Sequence, residues 1–381
     1  MSTAMIVDGV RSPFGKRKGS LAELHPSDLA ALVLKGLIQR TGVDAREVDD
    51  VILGCVTQTG EQGTCIARAA ALSAGFPLEV SGVSINRFCG SGQQAINFAA
   101  QGIASGFQDA VIAGGVENMT RVPMGADAGP VGELLYTQFP DLVPQGLSAE
   151  MIADKWGFSR ERVDEYAAQS QALYEKARAA GRYDRQILPI EFTRQDGLKI
   201  SLNKDEHPRA STTKDTLAAL KPSFKPDGKM HAGNSSGIVD GAAAVLLMSE
   251  KRVKELNLKP RARVVMQAVV GSEPKIMLTG PIPATQKALK KAGLKIEQMD
   301  VIEINEAFAS VPLATIVDTG MDPAKVNMWG GAIAHGHPLG ATGAMLMIKL
   351  MDQLEANGGR YGLSTMCIGL GMGITTIIER V

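Results

Sequence analysis

Two stretches of this chain are written to the same plan, 251 positions apart. In the first, Pro26 opens a run in which Leu29, Leu32, Val33, Leu37 and Ile38 recur at helical spacing. Gly42 stops that helix, and a short polar link leads to the apolar run Val51-Ile52-Leu53. In the second, Pro283 suits a first helical position, Ala288, Leu289 and Ala292 mark an apolar side, and Gly293 ends it. Another polar link leads to Val301-Ile302 and Ile304. Gly42 and Gly293 share the offset with Asp49 and Asp300, each placed just before its apolar run. Helices alternating with short β-rich runs indicate βαβ units and a largely parallel sheet. Written twice, they indicate a duplicated α/β domain.

The segment between the copies, roughly 119 to 247, follows another plan. Ser159 to Ala180 reads as a polar helix with Ser159 as N-cap and Glu161, Arg162 and Glu165 exposed. Residues 193 to 231 read as loop, rich in Lys, Pro and Asp. Positions 151 to 231 carry 15 Lys and Arg against 12 Asp and Glu, an excess that suits a solvated face or a lid meeting an anionic ligand.

Over the whole chain 40 basic residues balance 40 acidic ones, which argues against a nucleic-acid protein held by bulk positive charge. No apolar run approaches the length of a membrane span, so no membrane role is expected. The N-terminus runs directly into the apolar segment Met5-Ile6-Val7 and does not read as a secretory leader; Glu379-Arg380-Val381 is no peroxisomal address. The cysteines at 55, 65, 89 and 367 lack paired zinc spacing. They are expected as reduced thiols in a cytoplasmic protein, Cys55 and Cys65 as core thiols.

Chemistry concentrates in Gly-rich turns. In Arg87-Phe88-Cys89-Gly90-Ser91-Gly92 an apolar run ends, and Ala95 to Ile103 continues as a small-residue helix. A thiol at such a turn faces unpaired N–H groups and a positive dipole end. Both favour the thiolate, and Cys89 becomes the candidate nucleophile. Gly330 to Gly343 contains His335-Gly336-His337 before a helix from Ala341 to Leu350. A neutral imidazole there could take the proton of Cys89, with one histidine functional and the other packing. A metal reading fails for want of further ligands nearby. Met366-Cys367-Ile368-Gly369 places a second thiol where a strand runs into glycines, whose N–H groups could form an oxyanion hole. Asn305 and Glu306 end an apolar strand, and Asn305 could hold a water or cap a helix. Asn234 to Gly241 reads as a polar turn before a buried strand. The offset carries position 89 to 340, beside His337, and 115 to 366, beside Cys367, so the two halves could bring these sites together.

Together these motifs resemble the thiolase family, from Arg11-Ser12-Pro13-Phe14-Gly15 to the C-terminus. The Asn-Glu-Ala-Phe, Gly-His-Pro and Cys-x-Gly-x-Gly motifs stand in family order. The resemblance implies a five-layer αβαβα duplicated domain with a loop domain inserted in the first half. The expected limits are 1–118 with 232–262, an inserted CoA-binding domain over 119–231, and 263–381. It implies two-stage acyl transfer with coenzyme A and acyl-CoA as substrates and no permanently bound cofactor. Cys89 would carry the acyl group, His337 would activate it, and Asn305 would hold a water. Cys367 would exchange protons with CoA or the α-carbon of acetyl-CoA, and the N–H groups of Cys89 and Gly369 would stabilise the oxyanion. Ser236 would touch the pantetheine arm and Arg209 the nucleotide phosphates. A homodimer or homotetramer is implied. The chain departs from the common pattern at His335, Trp329 and Leu370, and Pro144-Gln145-Gly146 lacks the His-Met pair of short-chain biosynthetic members. These departures bear on the acyl pocket and lean the reading toward degradative thiolysis. The alternatives are a decarboxylating ketoacyl-synthase-type enzyme, which His335 brings into view, and a non-catalytic acyl-CoA or lipid-binding protein.

Overall fold

The offset of 251 survives in the hydrogen bonds. Asp49 Oδ2 accepts from the backbone N–H groups of Asp109 and Ala110, and Asp300 Oδ2 from those of Arg360 and Tyr361, each set shifted by the same interval. The computed structural model describes residues 2–194 and 196–381. Its first part comprises β1 (Ala4–Arg11), β2 (Gly15–Lys16), α1 (Pro26–Thr41), β3 (Asp50–Gly54), α2 (Ile66–Ser73), β4 (Ser81–Ile85), α3 (Ser91–Ser105) and β5 (Ala110–Asn118). A middle stretch carries α4 (Glu133–Gln138), α5 (Gln145–Lys155), α6 (Arg160–Ala179), the hairpin β6 (Ile190–Thr193) and β7 (Lys199–Leu202), and α7 (Lys214–Ala218). Then come β8 (Val239–Ser249), α8 (Glu250–Glu255), β9 (Ala262–Gly271), α9 (Pro281–Ala292), β10 (Val301–Ile304) and α10 (Ser310–Thr319). The chain closes with α11 (Ala332–His335), α12 (Leu339–Asn357), β11 (Tyr361–Ile368) and β12 (Met372–Arg380).

The strands form one sheet in the order β10-β11-β12-β9-β1-β8-β5-β3-β4, with β2 against β8. The halves meet where β1 and β9 pair through Met5–Arg263 and Ile6–Ala262. The expectation of a largely parallel sheet is corrected. Only β3–β4, β3–β5 and β10–β11 are parallel, and the remaining pairs of the large sheet are antiparallel. Helical crossovers make the parallel pairs, whereas the short Gly369–Gly371 connection between β11 and β12 permits only a hairpin.

Three cores separate five layers. The outer core of the first half joins Leu29 and Leu37 of α1 to Val51, Ile112 and Leu246. The outer core of the second half sets Ala288 of α9 against Ile302, Leu363 and Ile377. Between the sheets, α3 and α12 pack on Val111, Val245, Ile374 and Ile378. Alternation along β5 and β8 feeds both faces (Ile112 outward, Val111 inward), so each strand is buried along its whole length and apolar through its middle. Repeat-related glycines let α3 and α12 touch: a Cβ on Gly92 would lie 2.5 Å from Gly340 O, and one on Gly343 2.2 Å from Gln93 N.

Local signals placed several helices well. Ser159 Oγ accepts from Arg162 N at 3.2 Å and starts α6, and Gly42 and Gly293 end α1 and α9 with φ of 67° and 65°. The α9 helix starts at Pro281, two residues before the proline expected to open it. The region 193–231 holds β7 and α7 rather than loop alone. Cys65 is exposed at a left-handed φ of 49° at the start of α2, not a core thiol. Among the described residues no helix is long and apolar enough to cross a membrane.

Candidate active site

Cys89 sits where β4 turns into α3. Phe88, just before it, holds a left-handed φ of 44°, which a non-glycine residue adopts at a cost. Asn86 Oδ1 fixes that turn by accepting from Phe88 N at 2.8 Å, and Ser91 Oγ donates to Phe88 O at 2.6 Å. Gly90 is needed because a Cβ there would meet Ile368 Cδ1 at 2.5 Å. Cys89 is 5% exposed and lines a cavity of about 360 Å³. Burial pushes its thiol up to about 12, its own backbone N–H lowers it, and Glu117 raises it. Desolvation outweighs the backbone N–H at this turn, so the thiol is favoured where the sequence led to an expectation of thiolate. At neutral pH Cys89 is a thiol that needs a base.

His337 lines the same cavity. Its N–H donates to Gly237 O at 3.0 Å, tying it to the turn before β8. Thr342 Oγ1 donates its one proton to Pro338 O at 2.8 Å, and it lies 2.6 Å from His337 Nδ1. The hydroxyl therefore accepts from Nδ1–H, which leaves Nε2 as the lone-pair nitrogen. Burial lowers the imidazole to about 4, so it is neutral and basic at the cavity wall. Asn305 Nδ2 approaches Nε2 at 3.3 Å, and Asn305 Oδ1 has no partner among the described residues.

Cys367, at the end of β11, is fully buried. Burial raises its pKa, and the nearby Cys89 raises it further. Gly369 follows in the β11–β12 turn; a Cβ there would lie 3.0 Å from Gln145 Nε2 and 3.7 Å from the Phe88 ring, so this backbone faces the Cys89 turn. Cys89, His337, Asn305, Cys367 and Gly369 thus come from distant segments to one place.

Ser236 lines the cavity, and its N–H donates to Ala307 O at 3.0 Å. Arg209 is exposed in an outer cavity with His207, Ser211 and Thr212, some way from Cys89. Ala232 lines both cavities, so the two are neighbours. His335 points elsewhere. It is 1% exposed, donates through Nδ1–H to Gly336 O (2.8 Å), and faces Phe14 and Tyr174 with ring centroids at 6.0 and 6.4 Å. Trp329 packs edge-on to Tyr183, and Leu370 is 47% exposed with φ 59°. Of the departures expected to shape the acyl pocket, only Gln145 and Gly146 line it.

Sequence reasoning missed Glu117. This buried carboxylate accepts from Val56 N (2.9 Å), Thr57 N (3.1 Å), Gln62 Nε2 (2.8 Å) and Gly340 N (2.9 Å), joining the first half to the turn that carries His337. Its only signal was one acid near the end of the apolar run from Ala110. Thr342 was also missed, inside a motif read for its glycines.

Comparison with known proteins agrees with this geometry. Profiles of the thiolase N-terminal domain and the thiolase C-terminal domain match residues 4–251 and 258–380. A beta-ketoadipyl-CoA thiolase of Acinetobacter baylyi is 45% identical, with all of both chains covered. A 3-ketoacyl-CoA thiolase of Vibrio vulnificus is 46% identical over the same full coverage. The crystal structure of the Bacillus anthracis acetyl-CoA acetyltransferase superposes with a TM-score of 0.93 at 40% identity, covering 100% of this chain and 99% of that one. The chain belongs to the thiolase family.

Proposed function

We propose that this chain is a CoA-dependent thiolase that exchanges acyl groups between 3-ketoacyl-CoA and the pair acetyl-CoA plus acyl-CoA, through an acyl group carried on Cys89. The observation that carries the residue roles is the convergence of Cys89 and His337 on one cavity, with Asn305 on the imidazole and Cys367 behind the nucleophile.

In thiolysis His337 Nε2 takes the Cys89 proton as the sulfur attacks the 3-keto carbon. The C2–C3 bond breaks and its electron pair passes to C2 as the enolate of acetyl-CoA. Cys367 gives C2 its proton. A CoA thiol then reprotonates Cys367 as its sulfur attacks the acyl-Cys89, and the proton on His337 returns to the leaving Cys89 sulfur. A neutral imidazole whose Nε2 carries the lone pair fits the first step. A buried Cys367 that burial holds as the thiol has the proton the second step gives to C2. The N–H groups of Cys89 and Gly369 stabilise the oxyanion, and Asn305 holds a water beside the imidazole. The segment 119–231 forms the CoA-binding domain: Arg209 meets the nucleotide phosphates in the outer cavity, and Ser236 meets the pantetheine arm. The packed position of His335 speaks against the decarboxylating reading.

The working direction is degradative. The working form is a homodimer or homotetramer, supported by the open edge of β4, where Val83 is 41% exposed, and by Leu78 just before that strand, 76% exposed. Four free thiols support a cytoplasmic setting. The test is CoA-dependent cleavage of 3-ketoacyl-CoA substrates of increasing chain length, with Cys89→Ala as control. Cleavage lost in the variant supports the reading; wild type inert on every length overturns it.

A further inference from the structure

The cavity beyond Cys89 is walled by Met119, Met124, Phe224, Ile238, Phe308 and Leu339. No charged side chain lines it among the described residues, since burial holds its one histidine neutral. Several cations in the neighbouring segments point or pair elsewhere. Arg121 donates to Glu61 at 2.7 Å, Lys225 and Lys229 reach Asp154 at 3.0 and 2.8 Å, and Arg87 points at Met372 Sδ, 3.9 Å away.

A carboxylate entering this space gives up its hydration and meets methionine, aromatic and aliphatic surface with only the neutral polar groups of Gln145, Ser223, Ser235 and Ser236 beside it, and no counter-charge. A methyl terminus there gains from the same burial. We propose that the acyl pocket of this chain selects 3-ketoacyl-CoA substrates whose acyl tail is uncharged and apolar, and rejects tails that end in a carboxylate. The proposal rests on the thiolase reading above. Specificity then lies in the uncharged wall, while the charge-bearing end of the substrate, its nucleotide, stays in the outer cavity with Arg209.

The test compares kcat/KM for 3-ketohexanoyl-CoA and 3-ketoadipyl-CoA on the full-length protein in its native assembly. Both acyl chains have six carbons and differ only in a terminal methyl or carboxylate. The expected preference for the methyl terminus is about 100-fold, the scale on which an unpaired buried polar group discriminates. Met124→Arg places a cation at a position already 57% exposed, so folding tolerates it, and Ile238→Lys does the same from a position 39% exposed. At least one of them is expected to narrow the preference about tenfold or more by raising activity on 3-ketoadipyl-CoA. Wild-type values within tenfold of each other overturn the proposal and assign the carboxylate to solvent or to a side chain of a second copy. A preference that neither variant shifts overturns it too, because the selection then comes from shape. Absence of cleavage with both substrates is a different result and rejects the thiolase reading itself.

Discussion

Cys89 and its base divide the work in a way that depends on burial. The thiol is pushed up to about 12 and the imidazole down to about 4, so the resting pair is neutral on both sides. Alkylation of Cys89 by iodoacetamide is therefore expected to climb steadily between pH 6 and 9, with no thiolate plateau in that range. A plateau by pH 6 would show that the helix terminus dominates after all. His335 tests the same physics through stability. Burial first, then the positive charges of Lys349 and Arg11, hold its pKa well below 6.5. Between that folded value and 6.5 the unfolded chain binds the proton and the native chain does not. Stability is therefore present above 6.5 and is lost as the pH falls toward the folded value. His335→Phe keeps a ring against Phe14 and removes the titration. Relative to wild type it is expected to gain about 2 kcal/mol between pH 7.5 and pH 5. Denaturant midpoints at the two pH values measure this, and parallel losses in both proteins would rule it out.

At the scale of elements, the site is held by bonds between segments far apart in sequence. Glu303 of β10 and Lys349 of α12 form a buried pair at 2.8 Å, and Lys349 also donates to Gly330 O at 2.5 Å. Glu306 fastens the neighbouring loop by accepting from Ser170 Oγ at 2.7 Å and from Ile333 N at 3.1 Å. Glu117 fixes the first turn of α12 through Gly340 N. Glu117→Gln brings a donor to a place filled with donors, which leaves at least one buried N–H unpaired at about 1–3 kcal/mol. The expected result is a fall in kcat of about tenfold or more, with KM for CoA little changed, because His337 and Cys89 lose their mutual setting while the outer cavity does not. A lower melting temperature with unchanged kcat would reduce Glu117 to a structural role. These links mark the limit of what was legible in the sequence. Gly42, Gly293 and Ser159 act on residues a few positions away, and their chemistry could be read directly. Cys89, His337 and Cys367 showed because each stands in a Gly-rich turn, the two thiols at strand ends and His337 ahead of α12. Glu117 did not, since a carboxylate announces nothing about a partner more than two hundred positions away, and Thr342 did not, since a hydroxyl does not announce which nearby group it will meet. The antiparallel course of β8 and β12 was hidden for a related reason: apolar runs buried on both faces look the same in either direction.

The whole molecule explains why the duplication and the chemistry belong together. Every residue of α12 from Leu339 to Leu354 is buried, including Lys349 and Asp352, although a helix on the surface of one domain would keep a polar face. Its second face is covered by α3 and by β1, β5 and β8 of the other half. Cut out alone, residues 258–381 would expose that face, Met345, Leu346 and Ile348 among it, and would leave Glu303 and Lys349 near water. The loss of apolar burial, at about 25 cal/mol per Å², is large against the 5–15 kcal/mol that holds a typical domain together. The excised half is expected to be helical by circular dichroism yet to bind a hydrophobic dye and to melt without a sharp transition, whereas the intact chain melts cooperatively. A sharp transition in the fragment would show two independent domains that merely touch. Neither half could turn over in any case. Cys89 leads into α3, His337 leads into α12 and Cys367 lies near the end of β11, and the glycine-to-backbone contacts of Gly92 and Gly343 let α3 and α12 approach each other. The nucleophile and its proton carriers meet only where the two halves do, so loss of the shared core and loss of acyl transfer are expected to occur in the same unfolding step.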